Sequence, residues 1–222
     1  MQQTPYSKRA IARTAGILYL LLFPLGIFGL IYFQMNVVVE GDIEATILNI
    51  SNDENYFRFS IVSSLVLQIV FILLVSAFYK LFVDVDKDLA ALMLIFVLVS
   101  VPITMSNELI RYAMLYLLER PETIHILVIL HTTGVNITQI FWGLWLLPLG
   151  ILIYKSGFIP KFLGVLMIIA CFGYLIDSFL WFLYPNNLFS LSQYTFLGEL
   201  LLPLFLLIKG INEQAIGDKS DN

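Results

Sequence analysis

Two long apolar runs joined by a short polar turn occupy residues 131–179, and this pattern restricts the possible fold more than any other feature. The turn, Lys-Ser-Gly-Phe-Ile-Pro-Lys, covers residues 155–161. A helix rises about 1.5 Å per residue, so about 20 apolar residues cross the roughly 30 Å hydrocarbon layer of a bilayer. Each run is long enough for this, and together they predict a transmembrane helical hairpin with a basic turn.

The composition of the whole chain agrees with a membrane protein. Of 222 residues, 59% are hydrophobic and 13% are charged, and the mean hydropathy is +0.90. A soluble domain of this length could not bury so much apolar surface. We therefore expect the lipid bilayer to be the main partner of this protein. The net charge of −4 argues against nucleic acid as a partner. The single cysteine, Cys171, excludes an intrachain disulfide.

The apolar runs predict an all-α, polytopic membrane domain of six transmembrane helices over residues 15–209. The predicted spans lie at about 15–37, 59–82, 89–117, 126–154, 162–184 and 190–209. A signal peptide is the alternative for the first run, but the run is longer than a usual signal core and no small-residue cleavage site follows it. Residues 38–58 are predicted to form an acidic, asparagine-rich loop.

The distribution of basic residues predicts the orientation. Cytoplasmic loops of membrane proteins are enriched in lysine and arginine. With residues 1–14 as a cytoplasmic segment and 210–222 as a cytoplasmic tail, three basic residues lie outside, namely Arg58, Arg111 and Arg120. Nine lie inside, namely Lys8, Arg9, Arg13, Lys80, Lys87, Lys155, Lys161, Lys209 and Lys219. We therefore predict that both termini are cytoplasmic.

Polar residues inside the predicted spans are the candidates for function. A charged side chain in hydrocarbon is costly, so such side chains usually face the bundle interior. Glu108 and Arg111 are three residues apart and share one helix face. Asp177 lies about 24 Å along its helix from Lys161, which places it in the outer half. We expect a polar pocket open to the outer side, lined by Glu108, Arg111, Gln139, Trp142, Asp177 and Glu199.

Each of these residues also has a structural interpretation. Glu108 and Arg111 would form an ion pair, and Asp177 and Glu199 would be neutral acids that bond a neighbouring carbonyl. A metal site of His131, Glu108, Asp177 and Glu199 is a further alternative, because these ligands suit zinc. No HExxH motif or paired-histidine spacing accompanies them, so we expect neither a bound metal nor another cofactor.

Several segments resemble a bacterial six-span membrane family, the domain of unknown function 4386. The resemblance covers about residues 8–211. It is carried by residues 12–19 (ARTAGILY), 141–150 (FWGLWLLPLG), 155–160 (KSGFIP), 173–179 (GYLIDSF), Gly198-Glu199 and Ile208-Lys209-Gly210. The resemblance implies a multi-pass protein of the bacterial cytoplasmic membrane and brings no established activity.

Three hypotheses for the function follow. The favoured one is a small membrane scaffold that binds a lipid, a small apolar or amphipathic ligand, or a partner helix in the outer pocket. The alternatives are a proton-coupled carrier that uses Asp177 and Glu199, and a metal-dependent intramembrane hydrolase. The scaffold needs the fewest special residues, so catalysis is not expected. The oligomeric state has no signature in the sequence.

Overall fold

The computed structural model describes residues 7–184 and 190–211, and every regular element within them is a helix. The helices are α1 (Lys8–Gly26), α2 (Ile43–Asn52), α3 (Glu54–Phe82), α4 (Lys87–Met114), α5 (Pro121–Leu144), α6 (Leu146–Ser156), α7 (Lys161–Leu183), α8 (Ser192–Thr195) and α9 (Leu197–Ile208). Two π-helical segments, Ile27–Ile31 and Phe33–Val37, continue α1. Of the predicted terminal segments, residues 1–6 and 212–222 lie outside the described residues.

Short polar side chains begin several of these helices. Ser7, Asp42, Asp53 and Asp86 each accept a hydrogen bond from the backbone N–H three residues later, at distances of 2.9–3.4 Å. These bonds satisfy amides that have no partner inside the helix. Polar caps thus lie at points where the apolar runs start, and the sequence itself determines these helix starts.

Within the described residues, five helical stretches are long and apolar enough to cross a membrane. They are Lys8–Val37, Glu54–Phe82, Lys87–Met114, Pro121–Ser156 and Lys161–Leu183. The last apolar stretch, Ser192–Ile208, is shorter and is interrupted between α8 and α9. At 1.5 Å per residue it measures about 26 Å, slightly less than the roughly 30 Å hydrocarbon layer.

The structure corrects the predicted loop over residues 38–58, since α2 occupies its middle. Asp42 caps this ten-residue helix, and Thr46 and Ile50 are its buried residues. Thr46 also fixes the chain just before α2, because its hydroxyl accepts a 2.9 Å hydrogen bond from the backbone N–H of Val39. The amphipathic spacing from Ile43 to Ile50 is the sequence signal for this helix.

The helices pack mainly as sequential neighbours. α3 is the most buried of the long helices and lies between α1 and α4, while α4 also contacts α5 and α6. α6 and α7 form the predicted hairpin, and α9 packs against α1 and α7. The larger apolar core includes Leu74, Phe78, Trp145, Leu149, Met167 and Leu202. A smaller core under α2 includes Phe33, Ile50, Phe57, Met114 and Ile124.

Glycine contacts bring the two arms of the hairpin together. A side-chain carbon added at Gly150 would lie 2.6 Å from the backbone oxygen of Gly164, so neither position leaves room for a larger residue. Gly157 ends α6 with a φ of 77°, which glycine adopts without strain. Lys155 donates a 2.8 Å hydrogen bond to Asp86, which lowers the pKa of Asp86 and links this turn to the start of α4.

Candidate functional site

A buried ionic network joins α3, α4 and the π-helical part of the first span. Arg111 is completely buried, and one guanidinium nitrogen donates hydrogen bonds to the Gly29 carbonyl at 2.7 Å and to Glu108 Oε2 at 3.0 Å. The other terminal nitrogen donates to the Ser60 hydroxyl. Ser64 donates a 2.7 Å hydrogen bond to Glu108 Oε1. Both carboxylate oxygens of Glu108 therefore have partners inside the protein.

Gly29 allows the first span to approach this network closely. A side-chain carbon at Gly29 would lie 2.6 Å from the backbone nitrogen of Ser64. The residue also lies in the π-helical segment Ile27–Ile31, where the helical hydrogen bonds shift in register. The Gly29 carbonyl accepts a hydrogen bond from Arg111, so a backbone dipole of the first span helps to neutralise a buried cation.

Aromatic rings complete the surroundings of Arg111. The guanidinium carbon lies 4.6 Å from the centre of the Phe33 ring and 5.3 Å from that of Phe57, within the range of cation–π attraction. His131 is buried, and its ring packs edge-on against Phe33 with 4.8 Å between the ring centres. The His131 carbonyl accepts a 2.9 Å hydrogen bond from the Asn107 amide, which joins α4 to α5.

Glu199 lies apart from this network, in the first turn of α9. The Tyr19 hydroxyl of α1 donates a 3.2 Å hydrogen bond to Glu199 Oε2, and the Tyr174 hydroxyl of α7 lies beside the same carboxyl group. The second oxygen, Oε1, is buried and has no hydrogen-bond partner. A buried oxygen without a partner is costly, so this atom is a candidate contact for a ligand or water.

Glu199 lines a cavity of about 280 Å³ between α1, α3, α5, α7 and the last apolar stretch. Half of the lining residues are aromatic: Tyr19, Phe23, Phe71, Trp142, Trp145, Tyr174 and Phe196. The rings contact one another, with 5.8 Å between the centres of Tyr19 and Trp145 and 5.2 Å between those of Phe71 and Trp145. Glu199 is the single acid among the residues that line this cavity.

Asp177 forms a different kind of contact. Its carboxylate accepts hydrogen bonds from the backbone N–H groups of Leu191 at 2.7 Å and Ser192 at 2.8 Å, and from the Ser190 hydroxyl at 2.8 Å. These donors lie at the start of α8, where helical amides lack partners within the helix. Asp177 thus attaches α7 to the segment that leads to Glu199, and it is a positioning residue.

The structure therefore places the predicted pocket residues in separate surroundings. Trp142 and Glu199 line one cavity, Glu108 and Arg111 pair in the ionic network, and Asp177 binds the start of α8. Gln139 lies half-buried on α5. His131 is buried beside Phe33, and no three histidine, cysteine or acidic side chains among the described residues come close enough to hold a metal ion.

The two tyrosines that meet Glu199 were not predicted from the sequence. Tyrosines near span ends are expected at the membrane interface, where the hydroxyl remains hydrated. Tyr19 instead lies about 16 Å along its helix from Lys8, inside an apolar run. A tyrosine hydroxyl buried at this depth needs a hydrogen-bond partner. The position of Tyr19 within the apolar run was therefore the sequence signal for a polar contact inside the bundle. Trp145 lies in the motif of residues 141–150 and was likewise not predicted to line a pocket.

The helices and the buried polar groups define a multi-helix transmembrane protein with an aromatic cavity around one acid. More specifically, the chain belongs to the family described as "Domain of unknown function (DUF4386)", whose family model matches residues 14–210. This confirms the family to which the sequence motifs pointed.

A relative in the archaeon Archaeoglobus fulgidus is described as "Uncharacterized protein". It is 45% identical to this chain over 75 residues, which are 34% of this chain and 45% of the relative. The chain therefore spans less than half the length of that relative. No solved structure matches the chain.

Proposed function

We propose that this protein is a small membrane scaffold whose aromatic cavity binds a small amphipathic ligand. The observation that carries the proposal is the buried, unpartnered Oε1 of Glu199 in the wall of the cavity. An apolar pocket with one or two fixed polar groups is typical of small-molecule sites, because the walls provide burial and the polar groups provide orientation.

The size of the cavity limits the ligand. Its volume of about 280 Å³ is at the lower end of known ligand pockets, which begin at roughly 300 Å³. At roughly 30 Å³ for each water-sized group, it has room for about nine non-hydrogen atoms. A short alkyl chain with one polar head fits this space, whereas a complete phospholipid would have to leave its tails outside the cavity.

In the proposed topology, this site extends from the middle of a bacterial cytoplasmic membrane into its outer half. Ser192–Ile208 would be a sixth span, with both termini in the cytoplasm, as the distribution of basic residues favours. Glu199 then lies about 15 Å along the helix from Lys209, near the middle of the bilayer. Because the cavity continues from Glu199 to Ile31 and Phe196, it would open toward the outer side.

Tryptophan quenching tests the proposal directly. Trp142 and Trp145 line the cavity and Trp181 does not, so a Trp181→Phe background confines most of the signal to the site. We expect 6-bromohexan-1-ol, with eight non-hydrogen atoms, to quench this protein saturably in nanodiscs. Gly26→Phe should abolish the saturable component, because Gly26 lines the cavity and a phenyl ring there would fill it.

The matched control is Leu21→Phe, which adds a ring on the exposed side of the same helix. It should leave quenching unchanged. Quenching that rises linearly with the bromohexanol concentration, or that is equal in the Gly26→Phe and Leu21→Phe variants, would reflect membrane partitioning and would overturn the proposal.

The proton-coupled carrier is a second candidate because Glu199 is a buried acid that lies between spans. It predicts that 6-bromohexan-1-ol or a similar solute drives proton uptake into proteoliposomes loaded with a pH-sensitive dye. Glu199→Gln would abolish that uptake, since an amide cannot accept and release the proton. Saturable binding without any proton movement would favour the scaffold.

A further inference from the structure

We infer that the cavity around Glu199 selects organic cations with an ammonium head. This inference rests on the proposed function and adds the chemical class of the ligand. Among the described residues, the ion pairs are Lys8–Asp84, Arg58–Glu54, Arg111–Glu108 and Lys155–Asp86. None of them includes Glu199, although its carboxyl group is buried, so a cationic ligand would supply the missing positive charge.

The contrast with Glu108 supports this inference. Glu108 is buried and Glu199 is half-buried with its Oε1 enclosed, but Glu108 has a guanidinium partner at 3.0 Å and a serine hydroxyl at 2.7 Å. The groups that meet Glu199 are two neutral tyrosine hydroxyls, that of Tyr19 at 3.2 Å and that of Tyr174. A buried carboxylate oxygen without a positive partner is destabilising, and Oε1 of Glu199 has no hydrogen-bond partner in the protein.

The aromatic walls favour the same ligand class. The face of an aromatic ring carries negative charge density and attracts a cation that lies within about 6 Å of its centre. Tyr19, Trp142, Trp145 and Tyr174 line the same cavity as Glu199. Rings together with one acid are the chemistry by which proteins recognise quaternary ammonium groups. The same surroundings disfavour an anionic ligand, because it would face the Glu199 carboxylate.

Competition with three short probes tests the inference. Hexyltrimethylammonium, hexan-1-ol and hexanoate have the same alkyl chain and a positive, neutral or negative head. Each would displace 6-bromohexan-1-ol from the Trp181→Phe protein in nanodiscs. We expect hexyltrimethylammonium to compete about tenfold better than hexan-1-ol, because a cation–π contact and a partly desolvated charge pair with Glu199 favour the cation. Hexanoate should be the weakest competitor.

Two variants locate the selectivity. Glu199→Gln should reduce competition by hexyltrimethylammonium about tenfold and leave hexan-1-ol unchanged, whereas the exposed Glu122→Gln makes the same charge change without effect. Trp142→Leu keeps an apolar wall but removes one aromatic face. It should weaken competition by hexyltrimethylammonium and leave competition by hexan-1-ol unchanged. It provides a second test if Glu199→Gln does not fold.

The outcomes separate this inference from the proposed function. If hexan-1-ol competes as well as hexyltrimethylammonium, or if Glu199→Gln and Trp142→Leu leave the order of the probes unchanged, the cation selectivity is refuted and the binding scaffold stands. If 6-bromohexan-1-ol shows no saturable quenching at all, the proposed function falls, and the cation inference falls with it.

Discussion

Replacement of Arg111 by methionine should destabilise the protein more than almost any other single change. The side chain is completely buried, and it donates hydrogen bonds to Gly29, Glu108 and Ser60. Methionine fills much of the same volume but provides neither the charge nor the donors. It leaves Glu108, which is 3% exposed, with the Ser64 hydroxyl as its hydrogen-bond partner.

The expected cost follows from that remaining charge. Removal of one partner from a buried ion pair typically costs about 3–5 kcal/mol, because the other charge stays buried without compensation. The loss of the cation–π contacts with Phe33 and Phe57 would add to this. We therefore expect Arg111→Met to lower the free energy of unfolding by about 4 kcal/mol, near the middle of that range.

The double variant Glu108→Gln/Arg111→Met tests the cause. If the buried charge of Glu108 is the source of the cost, removing both charges should destabilise the protein by less than the sum of the two single variants. The difference, which measures the coupling between the residues, should be about 2 kcal/mol. Unfolding with SDS in mixed micelles, followed by circular dichroism, would measure all three free energies.

A matched control lies on α3. Arg58 pairs with Glu54 at 2.7 Å, but both side chains are exposed, by 41% and 49%. Arg58→Met should therefore lower the free energy of unfolding far less than Arg111→Met, because water screens an exposed ion pair. The reasoning is refuted if Arg111→Met costs no more than Arg58→Met, or if the effects of Glu108→Gln and Arg111→Met simply add.

Two further predictions concern Asp177 and the topology. Asp177→Leu removes all three acceptor contacts at the start of α8 and should cost about 2–4 kcal/mol, whereas Asp177→Asn keeps one acceptor and should cost about 1 kcal/mol in the same SDS titration. Equal losses would show that the charge of Asp177 is required. Reporter fusions at Ile50 and at the C-terminus should give opposite signals, since the distribution of basic residues places them on opposite sides. Matching signals would contradict the proposed topology.

Local patterns in the sequence were sufficient to predict the long helices. Apolar runs of span length, polar caps such as Asp53 and Asp86, and the glycine at position 157 all act through neighbouring residues. The family resemblance could be recognised for the same reason, since its motifs are short and contiguous. The short helix α2 was missed because ten amphipathic residues give a weaker signal than a membrane-length apolar run.

The partners of the buried polar residues depended on the tertiary structure. Helical spacing placed Glu108 beside Arg111, which are neighbours on α4, but Ser64 and Gly29 reach the network from other helices. Asp177 and Glu199 differ even more. Their depth along the helices predicted that both line one pocket. In the structure, Asp177 accepts hydrogen bonds from the start of α8, and Glu199 accepts one from the hydroxyl of Tyr19.

The physical reason is the range over which each interaction is specified. Hydrogen bonds within a helix join residues three or four positions apart, so the chain's local order determines them. Tyr19 and Glu199 are 180 positions apart, and only the packing of α9 against α1 brings their side chains together. The sequence by itself thus determined that this chain forms membrane helices that carry acids, and the tertiary packing decided which partners each of those acids has.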